Sequence, residues 1–412
     1  MLSMTLCRMC KNEDLRLFLD LGATAPADEF LTADELAAPQ AAYPLQVMSC
    51  GGCGLVQLGH VVDPEILYRK NYPYEASVTR AGRRHWDEFA ATACSMMGLG
   101  SDDLVVDFGS NVGVLLEMFA NRGTRVLGID PAPNIVAIAN ERGVETLCGF
   151  FNAKTADAAL ALKGQAKVIT ATNVFAHIDD LDEVMAAVDS LLTPDGAFMV
   201  EAPSLANLVR HLEYDTIYHE HLSYISVKPL VAFLARFGMH IFDIHEKDIH
   251  GGSIRIFIRR DGAPGPETTD AVARHLEIED KEGVYDMARL ARFAEDVAEN
   301  RRLLRELICG LKDQGKHLVG VSAPAKGMTL LNYCGLGKDV LDFVTEKSQL
   351  KIGKFTPGQH IPVRPDAALI EERPDYALLL AWNFAEEIMG NLSDYVATGG
   401  KFIIPIPTPR IV

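Results

Sequence analysis

The stretch Leu104-Val105-Val106-Asp107-Phe108-Gly109-Ser110-Asn111-Val112-Gly113 constrains this chain more than any other. An apolar run ends in an acid and a small-residue loop, and Val114-Leu115-Leu116-Glu117-Met118-Phe119 follows at helical spacing. That order predicts a buried parallel strand, a tight turn and the start of a helix. Arg125-Val126-Leu127-Gly128-Ile129-Asp130 predicts a second strand, again ending in an acid. Glycine between strand and helix lets a ligand approach the backbone closely, and an acid at the next strand tip can accept hydrogen bonds from ribose hydroxyls. Asp107, Gly109, Asn111, Gly113, Asp130 and Pro131 are therefore candidate cofactor-binding residues. The glycine pattern alone suits NAD as well as S-adenosylmethionine (SAM), and a purely structural turn as well.

The following elements separate these readings. Lys167-Val168-Ile169-Thr170-Ala171-Thr172-Asn173 predicts a fourth strand, Leu191 to Gly196 a helix end and turn, and Ala197 to Glu201 a fifth strand. This succession resembles the class I SAM-dependent methyltransferases. The resemblance implies an α/β fold with a doubly wound sheet, and it adds Asn173 to the cofactor-binding candidates. SAM has no pyrophosphate, so the loop need not follow the full GxGxxG spacing.

The chain has 412 residues, enough for two or three domains, and a formal net charge of −17. That charge argues against nucleic acid and anionic membrane as partners, since both need a basic face. A local basic pocket for a phosphorylated small molecule remains compatible with it. Met1 to Cys10 has no sustained apolar run, and no stretch has the length that spans a bilayer. The expected compartment is a reducing cytoplasm, where the eight cysteines do not form a disulfide framework.

Two CxxC pairs stand near the start, Cys7-Arg8-Met9-Cys10 and Cys50-Gly51-Gly52-Cys53. Each can present two thiolates to one metal, and four thiolates suit a closed, tetrahedral, structural Zn2+ site. Cys94, Cys148, Cys309 and Cys334 are scattered and expected to be buried apolar residues. Tyr68-Arg69-Lys70-Asn71-Tyr72-Pro73-Tyr74 reads as a lid over the cofactor or as a plain linker.

Three units are expected: 1–75 around the cysteines, 76–262 as the SAM-binding core, and 263–412 as a helical connection with a second α/β unit. In the core, Ser204 to Ser226 carries Tyr214, Tyr218, His219, Glu220, His221 and Tyr224. A helix over Val227 to Phe237 and two antiparallel edge strands, Met239 to Ile244 and Ser253 to Arg259, complete it. Gly262 to Glu267 is a Pro/Gly-rich linker, and Thr268 to Lys312 has helical spacing. Strands are then expected at Leu318–Val321, Val340–Val344, Tyr376–Leu380 and Lys401–Ile404. The loop with Ser322 and Lys326 opens a helix and suits a phosphate. Lys347, Lys351 and Lys354 form either a second phosphate contact or a solvated surface cluster.

Methylation at carbon needs an acidified C–H, a base and a stabilised enolate oxygen, hence several polar groups in one pocket. Tyr218-His219-Glu220-His221 has that density, and His177, after the fourth strand, should face the same crevice. The chain is similar to the nucleotide-sugar C-methyltransferases that make 3-C-methyl deoxysugars. Matching segments run from the two CxxC pairs through Cys53-Gly54-Leu55-Val56-Gln57-Leu58, Asp107 to Asn111, Tyr218-His219-Glu220-His221-Leu222-Ser223-Tyr224 and Gly251-Gly252-Ser253. They continue in Ala325-Lys326-Gly327, Pro357-Gly358-Gln359-His360-Ile361-Pro362 and Ala381-Trp382-Asn383.

The resemblance implies a zinc-binding N-terminal domain, a SAM-binding middle domain and a Rossmann-like C-terminal domain around one active site. It implies an NDP-4-keto-6-deoxysugar as substrate, held in part by Ser322, Lys326, Lys351 and Lys354. His221 matches the general base, and Tyr218, Glu220, His177 and Tyr72 match other active-site positions, with Tyr74 an alternative for the last. Val112, Phe150-Phe151-Asn152 and Thr345-Glu346-Lys347 depart from the family pattern; the third puts the nucleotide and sugar in question. Alternatives are an O- or N-methyltransferase on a nucleotide sugar, a nucleotide-sugar oxidoreductase and a non-catalytic zinc-dependent binding protein.

Overall fold

The computed structural model of the protein describes residues 2–68, 80–249 and 251–412. Near the start, β1 (Leu2–Ser3), β2 (Leu15–Thr24), β3 (Tyr43–Cys50), β4 (Val56–Leu58) and β5 (His60–Val61) are short and antiparallel. The doubly wound sheet follows, built from β6 (Leu104–Phe108), β7 (Arg125–Asp130), β8 (Thr146–Cys148), β9 (Ala166–Thr172) and β10 (Leu192–Pro203). Next come β11 (Ser223–Tyr224), β12 (Met239–Lys247) and β13 (Ser253–Arg260). Its strand order is β12-β13-β10-β9-β6-β7-β8, with β13 antiparallel to both of its neighbours. The order reverses between β6 and β9, and the crevice outside their carboxyl ends is where such sheets bind ligands.

The structure adjusts three sequence expectations here. The strand Thr146–Cys148 lies between the predicted second and fourth strands. Thr193 to Gly196 join β10 instead of forming a separate turn, with a register shift between Leu192 and Ala197 absorbing them. The helix after the histidine run spans Val227–Ala235 and stops short of Phe237.

The helices Ala271–Glu282 and Met287–Asp313 lead to the second α/β sheet. Its strands are β14 (Leu318–Val321), β15 (Val344–Glu346), β16 (Val363–Pro365), β17 (Tyr376–Leu379), β18 (Lys401–Ile404) and β19 (Arg410–Ile411). They lie in the order β16-β15-β14-β17-β18-β19, all parallel except β19. Val340 and Leu341 precede β15 as buried residues rather than opening it.

The histidine run does not stay with the doubly wound sheet. β11 pairs with β4, Ser223 opposite Gln57 and Tyr224 opposite Val56, making a four-stranded sheet in the order β11-β4-β3-β2. The Leu58 N–H also donates to the Leu222 carbonyl at 3.0 Å. Among the described residues, no helix is long and apolar enough to cross a membrane.

The helix Arg80–Met97 covers one face of the doubly wound sheet through a buried charge cluster. Glu201 on β10 and Arg255 on β13 are register partners, and both side chains are fully buried. Arg255 Nε donates to Glu201 at 2.8 Å, and Arg255 Nη1 donates to Glu88 at 3.0 Å. His85 Nε2 lies 2.6 Å from the other Glu201 oxygen, and the guanidinium sits 3.7 Å from the centre of the Phe89 ring. His85, Glu88 and Phe89 occupy one helix face, so a single pair grips a full turn. Removing one partner of a buried pair strands the other charge. Glu201→Ala should therefore destabilise the protein by about 3–5 kcal/mol. Urea unfolding is the measurement; a loss below about 1 kcal/mol would show that solvent or Glu88 alone satisfies Arg255.

Candidate active site

The four paired cysteines converge: the Sγ atoms of Cys7, Cys10, Cys50 and Cys53 all lie within 4.8 Å of one another. Cys7 to Cys53 is 3.6 Å and Cys10 to Cys50 is 3.5 Å. Tetrahedral zinc with Zn–S bonds of about 2.3 Å sets sulfurs about 3.8 Å apart, so the cluster fits that ion. The Gly52 N–H donates to Cys50 Sγ at 3.3 Å, and Gly54 turns at φ +86°. Of the other cysteines only Cys334 is buried, while Cys94 and Cys309 are half-buried and Cys148 is exposed. Cys148 ends the edge strand β8, which pairs with β7 on one side only.

A cavity of about 440 Å³ opens at the carboxyl ends of β6, β7 and β9. Asp107, Gly109, Asn111, Asp130, Pro131 and Asn173 line it from the doubly wound sheet. His177, Tyr218, Glu220 and His221 line it from the two polar segments, and Ser322, Lys326 and Lys351 from the second α/β sheet. Gly113 and Lys354 are not among the lining residues. Gly113 precedes the helix Val114–Ala120 at φ +79°, where a side chain would meet Val144 at 2.8 Å. Lys354 is half-buried and bonds through its backbone to Lys351 and Val363. Tyr72 and Tyr74 lie outside the described residues.

Asp28, Trp86 and Glu346 also line the cavity, although sequence reasoning assigned them no role there, and so does Tyr68, the first residue of the stretch read as a lid or a linker. Glu346 belongs to a segment marked as a departure. Asp28, followed by Glu29 in a loop, carries no sequence signal.

Asp130 sits at the tip of β7, where its two oxygens accept the backbone N–H groups of Asn111 at 3.0 Å and Ala132 at 2.9 Å. This holds the carboxylate rigid while leaving lone pairs on both oxygens. Asn111 and Asn173 turn at φ +50° and +55°, and the buried Asn173 Oδ1 has no hydrogen-bond partner among the described residues. Gly109, at φ +65°, leaves no room for a side chain: a Cβ would lie 2.6 Å from Val174. This cradle of glycine, rigid acid and buried amide fits an adenosyl group.

Across the cavity, His221 Nδ1 lies 2.7 Å from the Thr216 carbonyl. A carbonyl only accepts, so Nδ1 carries the hydrogen and Nε2 of the neutral ring is the basic nitrogen. The rings of His221 and Tyr218 lie 4.0 Å apart, and His177 lies 4.9 Å from His221. His177 also stacks on Tyr68 at 6.3 Å. His219 points away, toward the Tyr43 carbonyl at 3.1 Å. Lys326 Nζ lies 4.4 Å from the centre of the Trp382 ring and 3.5 Å from Asp215. Lys351 is buried, donates to the Ala323 carbonyl at 2.8 Å and pairs with Asp28 at 3.4 Å.

Comparison with known proteins identifies the framework. Family models match along the chain: "Putative zinc binding domain" over residues 7–68, "Methyltransferase domain" over 83–247 and "C-methyltransferase C-terminal domain" over 248–407. The C-methyltransferase NovU of Streptomyces niveus is 38% identical over 406 residues, 98% of this chain and 96% of that protein. The chain belongs to the C-methyltransferase family. A ubiquinone biosynthesis O-methyltransferase of Xanthomonas euvesicatoria is 26% identical over 38% of this chain and 69% of its own length. Among solved structures, the magnesium protoporphyrin IX methyltransferase of Synechocystis PCC 6803 is 17% identical with a TM-score of 0.36, over 46% of this chain and 90% of that one.

Burial sets the charge state of this methyltransferase's cavity. Burial and the nearby Asp28 push Glu220 up to about 8, so it is a neutral acid at pH 7. Burial raises Asp107 to about 7 against the Thr170 hydroxyl bond at 2.6 Å, and raises Glu213 to about 7 against the attraction of Lys326. Burial and the neighbouring His221 hold His177 well below the usual imidazole range, and burial lowers His219 to about 4. Each raised carboxyl favours folding when protonated, and that contribution disappears as pH rises through its folded pKa. The lowered histidines are neutral in the folded state here and lose the rest of their unfolded-state protons just above about pH 6.5, which offsets only a few tenths of a kcal/mol each. Stability should therefore fall by about 1–3 kcal/mol between pH 6.5 and 8.5. Urea unfolding at the two pH values tests this, with a smaller fall expected in Glu220→Gln; equal stability at both would mean that these carboxyls are solvated.

Proposed function

We propose that this C-methyltransferase transfers a methyl group from SAM to C3 of an NDP-4-keto-6-deoxysugar. The observation that carries the reading is one cavity lined by the glycine loop with Asp130, by the His221 cluster, and by Lys326 and Lys351. Asp107, Gly109, Asn111, Asp130, Pro131 and Asn173 would hold SAM, which supplies an electrophilic methyl group. Lys326 and Lys351 supply the positive charge a diphosphate needs on a chain of net charge −17, and Ser322 adds a neutral hydrogen-bond donor. A non-catalytic binding protein would have no use for a fixed imidazole and a neutral acid beside the glycine loop, and the match to C-methyltransferases over nearly the whole chain speaks against an oxidoreductase.

The sugar's 4-keto group acidifies the C3 hydrogen, and His221 Nε2 takes that proton. Tyr218, and Glu220 as a neutral acid, stabilise the oxygen on which the enolate charge develops. The C3 carbanion equivalent held by these residues would be the nucleophile for the methyl group that SAM supplies when bound. His177 stays neutral, lies 4.9 Å from His221 in the same cavity lining and is its rival as base. An O- or N-methyltransferase would not need the carbon acid.

Solvent deuterium exchange at C3 of a 4-keto sugar separates these readings. His221→Ala should abolish both exchange and methyl transfer, by roughly 10²–10⁴-fold or more, while SAM affinity is unchanged. Exchange that persists in His221→Ala but vanishes in His177→Ala would move the base to His177. A panel of NDP-4-keto sugars followed by mass spectrometry identifies the sugar, and a product methylated at oxygen or nitrogen would overturn the reading.

Cys7, Cys10, Cys50 and Cys53 would hold one structural Zn2+ per chain, in the reducing cytoplasm expected for free thiolates. Stripping the metal should unfold the N-terminal sheet, because binding energy is folding energy in small metal-held units. Metal analysis and circular dichroism before and after chelation check this; freshly purified, reduced protein without zinc would remove the assignment.

A further inference from the structure

The helix Arg80–Met97 reaches the cavity as well as the sheet. Trp86 lines the cavity, and so does Gly82, one turn earlier on the same helix face. Trp86 is buried, and the His85 ring meets its ring edge-on with centroids 4.7 Å apart. His85 Nε2 lies 2.6 Å from the Glu201 carboxylate. A carboxylate only accepts, so Nε2 is the donor. The Glu201 backbone carbonyl accepts the Asn173 N–H at 2.8 Å. One residue therefore fixes two parts of the lining. Its side chain holds the helix at Trp86, and its backbone holds Asn173, whose buried Oδ1 has no hydrogen-bond partner among the described residues.

Asp130 tips β7 and marks the place of the ribose. β8 lies on one side of β7, and β6, β9 and β10 lie on the other. His177 follows β9, and His221 lies 4.9 Å from it. A methyl group delivered to that cluster has to lie on the β9 side of the ribose. The sulfur that carries the methyl also carries the amino-acid arm of SAM, so the arm runs toward β9 and β10. Glu201 stands opposite Thr172 in the β9–β10 register, one position before Asn173, which places His85, Trp86 and Asn173 at that end of the cavity. The arm ends in an ammonium and a carboxylate. An aromatic ring and an unsatisfied amide oxygen both complement an ammonium. We propose that Trp86 is a cofactor-binding residue that bounds the slot for the amino-acid arm of SAM together with Asn173, and that His85 and Glu201 are the pair that positions it. The inference rests on the SAM reading of the cradle and assigns the end of the cofactor that Asp130 does not reach.

The test is isothermal titration of the full-length, metal-replete protein with S-adenosylhomocysteine and with 5′-methylthioadenosine, which has the same nucleoside and thioether but no amino-acid arm. Trp86→Ala should weaken S-adenosylhomocysteine about tenfold, the range for a desolvated contact between a cation and an aromatic ring. The variant should bind 5′-methylthioadenosine as the wild type does, which also reports that the cradle is folded. His85→Ala should shift the ratio of the two affinities in the same direction by a smaller factor. His85→Gln, whose amide can still donate to Glu201, should restore it. Equal weakening of both ligands in Trp86→Ala, or no weakening of S-adenosylhomocysteine, overturns the slot but leaves the SAM reading standing. An unchanged ratio in His85→Ala overturns the positioning pair. Failure of both ligands to bind the wild type overturns the slot and the SAM reading together. If Trp86→Ala does not fold, Trp86→Leu, which keeps apolar bulk without the ring, decides by the same ratio.

Discussion

Arg8, inside the first cysteine pair, joins parts of the chain that the sequence keeps far apart. Its side chain is fully buried. Nη1 donates to the carbonyls of Leu58 and Leu222 at 3.0 and 3.1 Å, Nε donates to Asp179 at 2.9 Å, and the backbone N–H donates to Gln57. Leu222 follows His221 and Asp179 lies two residues beyond His177, so one guanidinium ties both histidine-bearing segments to the cysteine cluster. An arginine taken out of water needs its donors satisfied, and Nε and Nη1 find their partners only when the cysteine knuckle, β4 and the histidine run are docked together, while the buried Nη2 has no partner among the described residues. The site therefore depends on the N-terminal sheet although the cysteines themselves are remote from the chemistry.

The same logic operates at the far wall. The loop after β2 meets the second α/β sheet through the Leu31–Phe355 bridge, and Gln40 accepts from the Gly358 N–H at 2.8 Å. That contact brings Asp28 to Lys351, and Asp28 in turn helps keep Glu220 neutral. Three separate units thus set the charge of one cavity: the neutral acid Glu220 and the neutral imidazole of His177 on one side, lysines on another. For carbon methylation this separation matters, because a fully ionised cavity would oppose an enolate.

Much of the architecture was legible in the sequence because strands buried on both faces announce themselves as apolar runs. The stretch Leu104 to Phe108, the acid-tipped strand at Asp130 and the antiparallel edge hairpin all follow from local pattern. Short strands were not legible. β11 has two residues and β16 three, too few for any periodicity, and each exists because a partner edge supplies its hydrogen bonds. Gly113 and Lys354 show the converse limit: a residue type suited to a ligand can serve a turn or the surface when the fold aims it elsewhere.

The sequence by itself determined the chemical inventory: four thiols in two CxxC pairs, a glycine loop with an acid at the next strand tip, a histidine-rich run and a lysine-bearing loop. Those signals are local, since each depends on residues within a few positions of one another. Only the tertiary structure decided that the histidine run pairs with the N-terminal sheet, that Asp28 reaches Lys351, and that Asp130 and Glu346 share one cavity. Each of these joins residues far apart in the chain, and what fixes them is the requirement that buried donors, acceptors and charges be satisfied together, which no single stretch of sequence can express.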